Sequence, residues 1–286
     1  MTERVNRVLS RTALHAVVIF IALLWLVPTI GVLVTSFRPA QNVAQSGWWT
    51  VFWGISDSVR FTLNNYRIVL SKLGIGRAFL NSFVITIPAT LIPLGIALFA
   101  AYALSWMRFF ARATIFMIMV ALLVVPFQMT FIPILRIFNK TGLAGTFPGI
   151  WLAHTGYGLP LAIYMLYNYI SGLPKELFDS ASIDGANTFY IFLRIVLPLS
   201  IPIIASLTIF QFLWVWNDLL VALIYLGGTS DVAPVTVQIS SLVGSYGQDW
   251  ELLTAAVFIS IIPSLAVFFG LQRYFVRGIL AGSIKG

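Results

Sequence analysis

The chain has 286 residues, of which 59% are hydrophobic and only 9% charged, with a formal net charge of +8 and a mean hydropathy of +0.95. A soluble globular domain carries about a quarter of its residues as charges, so the composition excludes one and predicts an all-α polytopic membrane protein. The basic residues are scattered through short segments with no stripe that would track a phosphate backbone, which argues against nucleic acid as a partner. With no cysteine, disulfides, thiolate metal sites and a cysteine nucleophile are excluded.

Arg4, Arg7 and Arg11 mark a short N-terminal segment, 1–13, ahead of an apolar run over 14–36. That run is long enough to cross a hydrocarbon core of about 30 Å. It is too long for the apolar part of a secretory signal, and no A-x-A site follows, so an uncleaved first span is expected. Residues 37–76 hold Trp48, Trp49 and Trp53 and read as an external loop with interfacial aromatics. Residues 77–272 are expected to carry five more helices, near 78–104, 113–138, 149–170, 203–226 and 252–271, with Arg108 and Arg112 marking an inside turn and 273–286 forming a tail. The expectation is six spans with both ends on one side, and the Lys and Arg bias of the short loops favours N-in and C-in. Each span has a proline inside it or at its start, namely Pro28, Pro88, Pro126, Pro160, Pro202 and Pro263. The backbone bonds these remove must be replaced by neighbouring groups.

One polar segment, Pro174 to Pro202, interrupts this pattern. Pro174 suits a helix start, and Glu176 and Asp179 lie early enough to favour the positive end of its dipole. Asp184-Gly185 breaks the run, Thr188 is placed to cap a second helix, and Phe189, Phe192, Leu193 and Val196 recur at helical spacing. Two short helices around a glycine elbow would present a helix to a partner's groove.

These residues resemble a known family. The permease subunits of binding-protein-dependent ABC importers carry a cytoplasmic loop patterned E-A-A, three residues, glycine, about nine residues, I-x-x-P. Asp179-Ser180-Ala181, Gly185, Ile195 and Pro198 occupy those places. Asp179 replaces the leading glutamate and Ser180 the first alanine. Asp184-Gly185-Ala186 resembles the carbohydrate-uptake branch, and the ending from Gln272 to Gly286 is similar to that of the smaller permease subunit of maltose-type transporters. The likeness covers roughly 14–286.

It implies a type I ABC importer permease fold in a bacterial inner membrane. It implies as partners a second permease subunit, two ATP-binding subunits that hold the ATP and Mg, and an extracytoplasmic solute-binding protein. This chain would then bind no cofactor and be no enzyme. The loop 172–200, with Glu176, Asp179, Ser180, Ala181, Asp184, Gly185, Ala186, Ile195 and Pro198, would be the ATPase-coupling surface. The outside loop 227–250, expected to be polar and flexible, would meet the binding protein at Ser245, Tyr246, Gly247 and Gln248.

The residues themselves add two points. No G-x-x-x-x-G-K-[ST] is present, so an ATP-driven process needs a separate ATPase. In the span near 149–170, His154, Tyr157, Leu161, Tyr164 and Asn168 line one stripe, and in the span near 203–226 so do Gln211, Trp214 and Asp218, next to Asn217. Aromatic faces with amide and carboxylate acceptors suit a hydroxyl-rich, uncharged solute such as a saccharide, although helix-to-helix hydrogen bonding accounts for the same residues. His154 and the distant His15 form no metal pair. A carboxylate at mid-membrane, Asp218, also fits an ATPase-independent secondary transporter or channel that uses it as a coupling group.

Overall fold

The computed structural model describes the backbone of residues 2–53, 61–245 and 249–283 and the side chains of 11–53, 61–243 and 249–273; among these residues all regular structure is helical. In chain order the helices are α1 (Thr2–Ser36), α2 (Ala40–Gln45), α3 (Asn64–Ser71), α4 (Ile75–Trp106), α5 (Arg112–Leu122), α6 (Phe131–Thr141) and α7 (Phe147–Ser171). They continue with α8 (Lys175–Ile183), α9 (Thr188–Ile191), α10 (Leu197–Leu199), α11 (Ile201–Trp216), α12 (Leu220–Leu226), α13 (Val235–Ser245) and α14 (Trp250–Ser283). A 3-10 turn covers Trp48–Trp53 and a π turn covers Phe192–Val196. Three helical stretches, Arg11–Ser36, Ile75–Trp106 and Trp250–Arg273, are long and apolar enough to cross a membrane, and five if each of two bent pairs counts as one span. The chain is a multi-pass membrane protein.

Two compact units are formed, Met1–Gly76 with Ile239–Ile259, and Arg77–Gln238 with Ser260–Gly286. In the first, the segment after α1 is more ordered than a loop. The Asn65 amide donates to the carbonyls of Ser36 and Arg38, both at 2.9 Å, and the Ser36 and Tyr66 hydroxyls meet at 2.7 Å. The buried Arg38 guanidinium donates to the Asn42 and Ser46 carbonyls that end α2, where a cation complements the helix dipole. Burial pulls its pKa below the ordinary arginine value.

In the second unit, α4, α7 and the segment from α8 to α11 enclose a core around Ala101, Leu166, Ile170 and Val196, while α6, α7 and α12 pack a second core around Ile150, Val221 and Tyr225. α4 runs unbroken through Pro88 and Pro93. Each proline leaves the carbonyl four residues earlier without its helical N–H, and a side chain from another helix takes each one. Trp151 Nε1 donates to Val84 O at 2.9 Å, and Gln211 Nε2 donates to Ala89 O at 3.1 Å. In a low-dielectric interior an unpaired carbonyl would cost about 1–3 kcal/mol.

Three expectations are corrected. The third expected span is not continuous: α5 and the helical stretch Phe127–Thr141 meet at 95°, where Pro126, which has no N–H to continue the helix, takes an extended backbone with ψ 113°. The fifth, near 203–226, is broken once, by a non-helical stretch between Trp216 and Leu220; a 72° bend around Ser200 lies just before it. Part of 227–250 is structured where a flexible loop is expected. Asn81 donates to Asp231 O and Ala233 O, the Val235 N–H donates to Ser82 Oγ, and Arg77 pairs with Asp231 at 2.8 Å. The apolar Ala233, Val235 and Val237 are buried there, and burial of apolar surface outweighs the polarity of their neighbours.

Candidate functional site

The polar segment folds as two arms around a glycine. α8 follows Pro174, carries Glu176 in its first turn, and ends where Gly185 takes φ +77°, a conformation open to glycine at no steric cost. The turn is closed by the Gly185 N–H on Ser182 O at 3.1 Å and the Ala186 N–H on Ala181 O at 2.9 Å. The second arm is capped by Asn187, not Thr188: its Oδ1 accepts the Tyr190 N–H at 2.8 Å. Asn187 has the extended backbone of a cap, whereas Thr188 is already helical. The arm buries Ile191, Phe192 and Val196 and leaves Phe189 and Leu193 exposed. The π turn over Phe192–Val196 inserts a residue into the α-helical repeat on which the expected face depended.

Both arms are fastened to one end of α4. Phe178 lies against Trp106, and Trp106 Nε1 donates to Ile170 O of α7 at 3.1 Å. Tyr102 donates to Thr188 O at 3.1 Å, and Phe192 stacks on Phe99. Of the expected surface residues, Ala181, Ala186 and Ile195 are half-buried and pack against this core, while Glu176, Asp179, Ser180, Asp184, Gly185 and Pro198 are exposed. Ile183 is 85% exposed. In the crook of the arms lies a hollow of about 610 Å³ lined by Ser180, Ala181, Asp184, Tyr190, Arg194 and Ile195. The result is an open, rigidly mounted surface that combines acidic, basic and apolar groups. The Lys175–Asp179 pair, 3.8 Å apart and exposed, adds little to its stability.

A second site lies between α4, α7 and α11. A cavity of about 330 Å³ is lined by Pro93, Tyr157, Gly158, Leu161, Gln211 and Trp214, among others. It gathers three of the seven expected path residues, Tyr157, Gln211 and Trp214. Tyr164 and Asn168 lie further along α7 and are exposed, and the Asn168 amide donates to Tyr164 O of its own helix. Asn217 likewise donates to Leu213 O.

Over residues 92–281 the chain matches the family described as "Binding-protein-dependent transport system inner membrane component". The chain belongs to that family. The permease is 57% identical over 284 residues to the osmoprotective compounds uptake permease protein GgtD of Synechocystis sp., covering 99% of this chain and 95% of the relative. It is 54% identical over 251 residues to the alpha-glucoside transport system permease protein AglG of Rhizobium meliloti, covering 86% of this chain and 66% of the relative. Its fold matches that of a chain in the crystal structure of a bacterial alginate ABC transporter in complex with an alginate pentasaccharide-bound periplasmic protein. There the TM-score is 0.66 and the identity 15%, with 92% and 94% of the two chains covered. The all-helical type I permease fold is thereby shown.

In the permease Asp218 does not continue the Gln211 and Trp214 stripe, because α11 has ended at Trp216. Its carboxylate accepts the N–H groups of Val221 at 3.3 Å and Ala222 at 2.9 Å, at the start of α12. The buried His154 lies 3.8 Å from it, beyond hydrogen-bonding distance. Sequence reasoning missed Tyr102, which reads as the tail of a span, Trp106, which falls just beyond that span, and Gly158, whose only signal is the Gly156-Tyr157-Gly158 spacing in a long helix. Tyr246, Gly247 and Gln248 lie outside the described residues, as does the side chain of Ser245.

Proposed function

We propose that this permease is one transmembrane subunit of an ATP-driven importer of neutral saccharides or related polyhydroxylated solutes, with α-glucosides foremost. The functions for which its relatives are named, uptake of osmoprotective compounds and transport of alpha-glucosides, support the solute class. Six spans are reached by adding α7 and the α11–α12 segment to the three long helices and the bent pair at Pro126; the 25 residues of α7 extend about 37 Å at 1.5 Å per residue. With both termini inside, α8 and α9 face the cytoplasm of a bacterial cell whose inner membrane holds the chain.

A second permease subunit completes the path, two ATP-binding subunits supply ATP and Mg, and a solute-binding protein delivers solute near Ser245–Gln248. The observation that carries the reading is the exposed, glycine-hinged pair α8–α9 bolted to the end of α4. A surface so mounted passes a push from a docked ATPase directly into α4 and α7. Glu176, Asp179, Ser180, Asp184, Gly185 and Pro198 face the ATPase, and Ala181, Ala186 and Ile195 hold the arms together.

The test is co-purification of the tagged chain with its transporter subunits, followed by reconstitution. Vesicles should import an α-glucoside only with ATP and binding protein present. Import by the chain without any ATPase would overturn the reading.

A further inference from the structure

The cavity between α4, α7 and α11 is lined mainly by apolar groups. The Tyr157 hydroxyl is engaged with Tyr225 at 2.7 Å and Thr130 at 2.9 Å, so what it offers the cavity is its ring. Trp214 is held edge-on by His154 at 5.5 Å and by Phe127 at 6.0 Å, and forms a fixed flat wall. Leu161 and Phe210 complete an apolar rim and are about half exposed. Gln211 is the exception. Its nitrogen is committed to the Ala89 carbonyl that Pro93 sets free, so the amide cannot turn over, and Oε1 is left as a preoriented acceptor.

That placement depends on Gly158. A Cβ built there would lie 2.6 Å from both Gln211 Nε2 and Oε1 and 2.9 Å from its carboxamide carbon, and it would meet no other group as closely. Any larger residue must push the carboxamide off α7. The volume is near the lower end of small-molecule sites, roughly 300–1,000 Å³, which is room for one ring and not for an oligosaccharide.

We propose that this cavity is a transit site for a single pyranose ring, with the apolar C–H face of the sugar on Trp214, one hydroxyl donating to Gln211 Oε1, and Gly158 setting the room available. The proposal rests on the saccharide reading above and adds the place and the size limit. One hydrogen bond and one stacking face make a weak site, as a route that must release its cargo requires. Sugars are recognised there by a ring face, so an open-chain polyol is held less well.

The absence of cysteine gives a direct test in the assembled transporter. In the Leu161→Cys complex, methyl α-D-glucopyranoside should slow maleimide labelling of this chain, mannitol should not, and a Leu152→Cys control on the exposed side of α7 should label at an unchanged rate. Adding Gln211→Ala should raise the protecting concentration about tenfold, the equivalent of one hydrogen bond. Adding Gly158→Ala should abolish protection, and Gly158→Ala with Gln211→Ala should restore it to the level of Gln211→Ala alone, because the obstructing group is gone. Labelling that ignores the glucoside, or full protection in Gly158→Ala, overturns the proposal. If the same complex still imports the glucoside, the importer reading survives that result. If it imports no α-glucoside or polyol at all, the saccharide reading fails first.

Discussion

Phe178 of α8 lies flat on Trp106 of α4, with ring centroids 3.6 Å apart and planes 14° apart. The indole that receives it is itself tied to α7 through Ile170 O. A force on α8 therefore reaches two long helices through one aromatic contact. Phe178→Ala removes that contact. Truncating a buried Phe costs about 3–5 kcal/mol, here confined to the seating of α8. Import and the stimulation of ATP hydrolysis by the binding protein should both be lost, because coupling is reciprocal, while the chain still reaches the membrane and basal ATP hydrolysis persists. Trp106→Phe, which keeps a ring but loses the Ile170 bond, should cost about 1 kcal/mol and leave most import. Equal loss in both variants would contradict the stacking account.

Gly185 and Gly142 share a left-handed backbone, φ +77° and +72°, and an added Cβ would meet nothing within 4 Å at either. An alanine therefore carries the same backbone penalty at both, about 1–2 kcal/mol. Only Gly185 joins α8 to α9. Gly185→Ala should reduce import and Gly185→Val should abolish it at normal membrane abundance, while Gly142→Ala should import as wild type. Uptake assays normalised to membrane content decide between a hinge that matters for coupling and one that matters only for folding.

The Trp151 bond to Val84 O replaces the one that Pro88 removes. Trp151→Phe should lower thermal stability by about 1–3 kcal/mol. Pro88→Ala restores a backbone N–H for the same carbonyl, so the double variant should lose less than the sum of the singles. Additive losses in detergent melting curves would show that the indole serves some other purpose.

Asp218 receives two backbone N–H groups at the start of α12. An asparagine keeps one acceptor oxygen, enough for the shorter bond from Ala222, and loses the longer one from Val221, so Asp218→Asn should transport nearly as well as wild type. Asp218→Ala should lose about 1 kcal/mol of stability, as when a helix cap is removed. Abolished transport in Asp218→Asn at normal stability would instead mark the carboxylate as a proton- or ion-coupling group and revive a secondary-transport mechanism.

The sequence by itself determined the class. A charged share of 9%, long apolar runs and a polar segment with Pro174, Asp184-Gly185 and Pro198 are local features, and local features are legible because helix signals, turn chemistry and hydropathy act within a few residues. Tertiary structure alone decided where helices break and which groups meet. Pro88 and Pro93 leave α4 intact because Trp151 and Gln211, 63 and 118 residues further along the chain, take the freed carbonyls, whereas around Pro126 the span turns by 95°. The same distance in sequence hid Trp106 beneath Phe178 and Gln211 across Gly158. A side chain's partner is chosen by packing after the helices have come together, and no spacing along the chain records that choice.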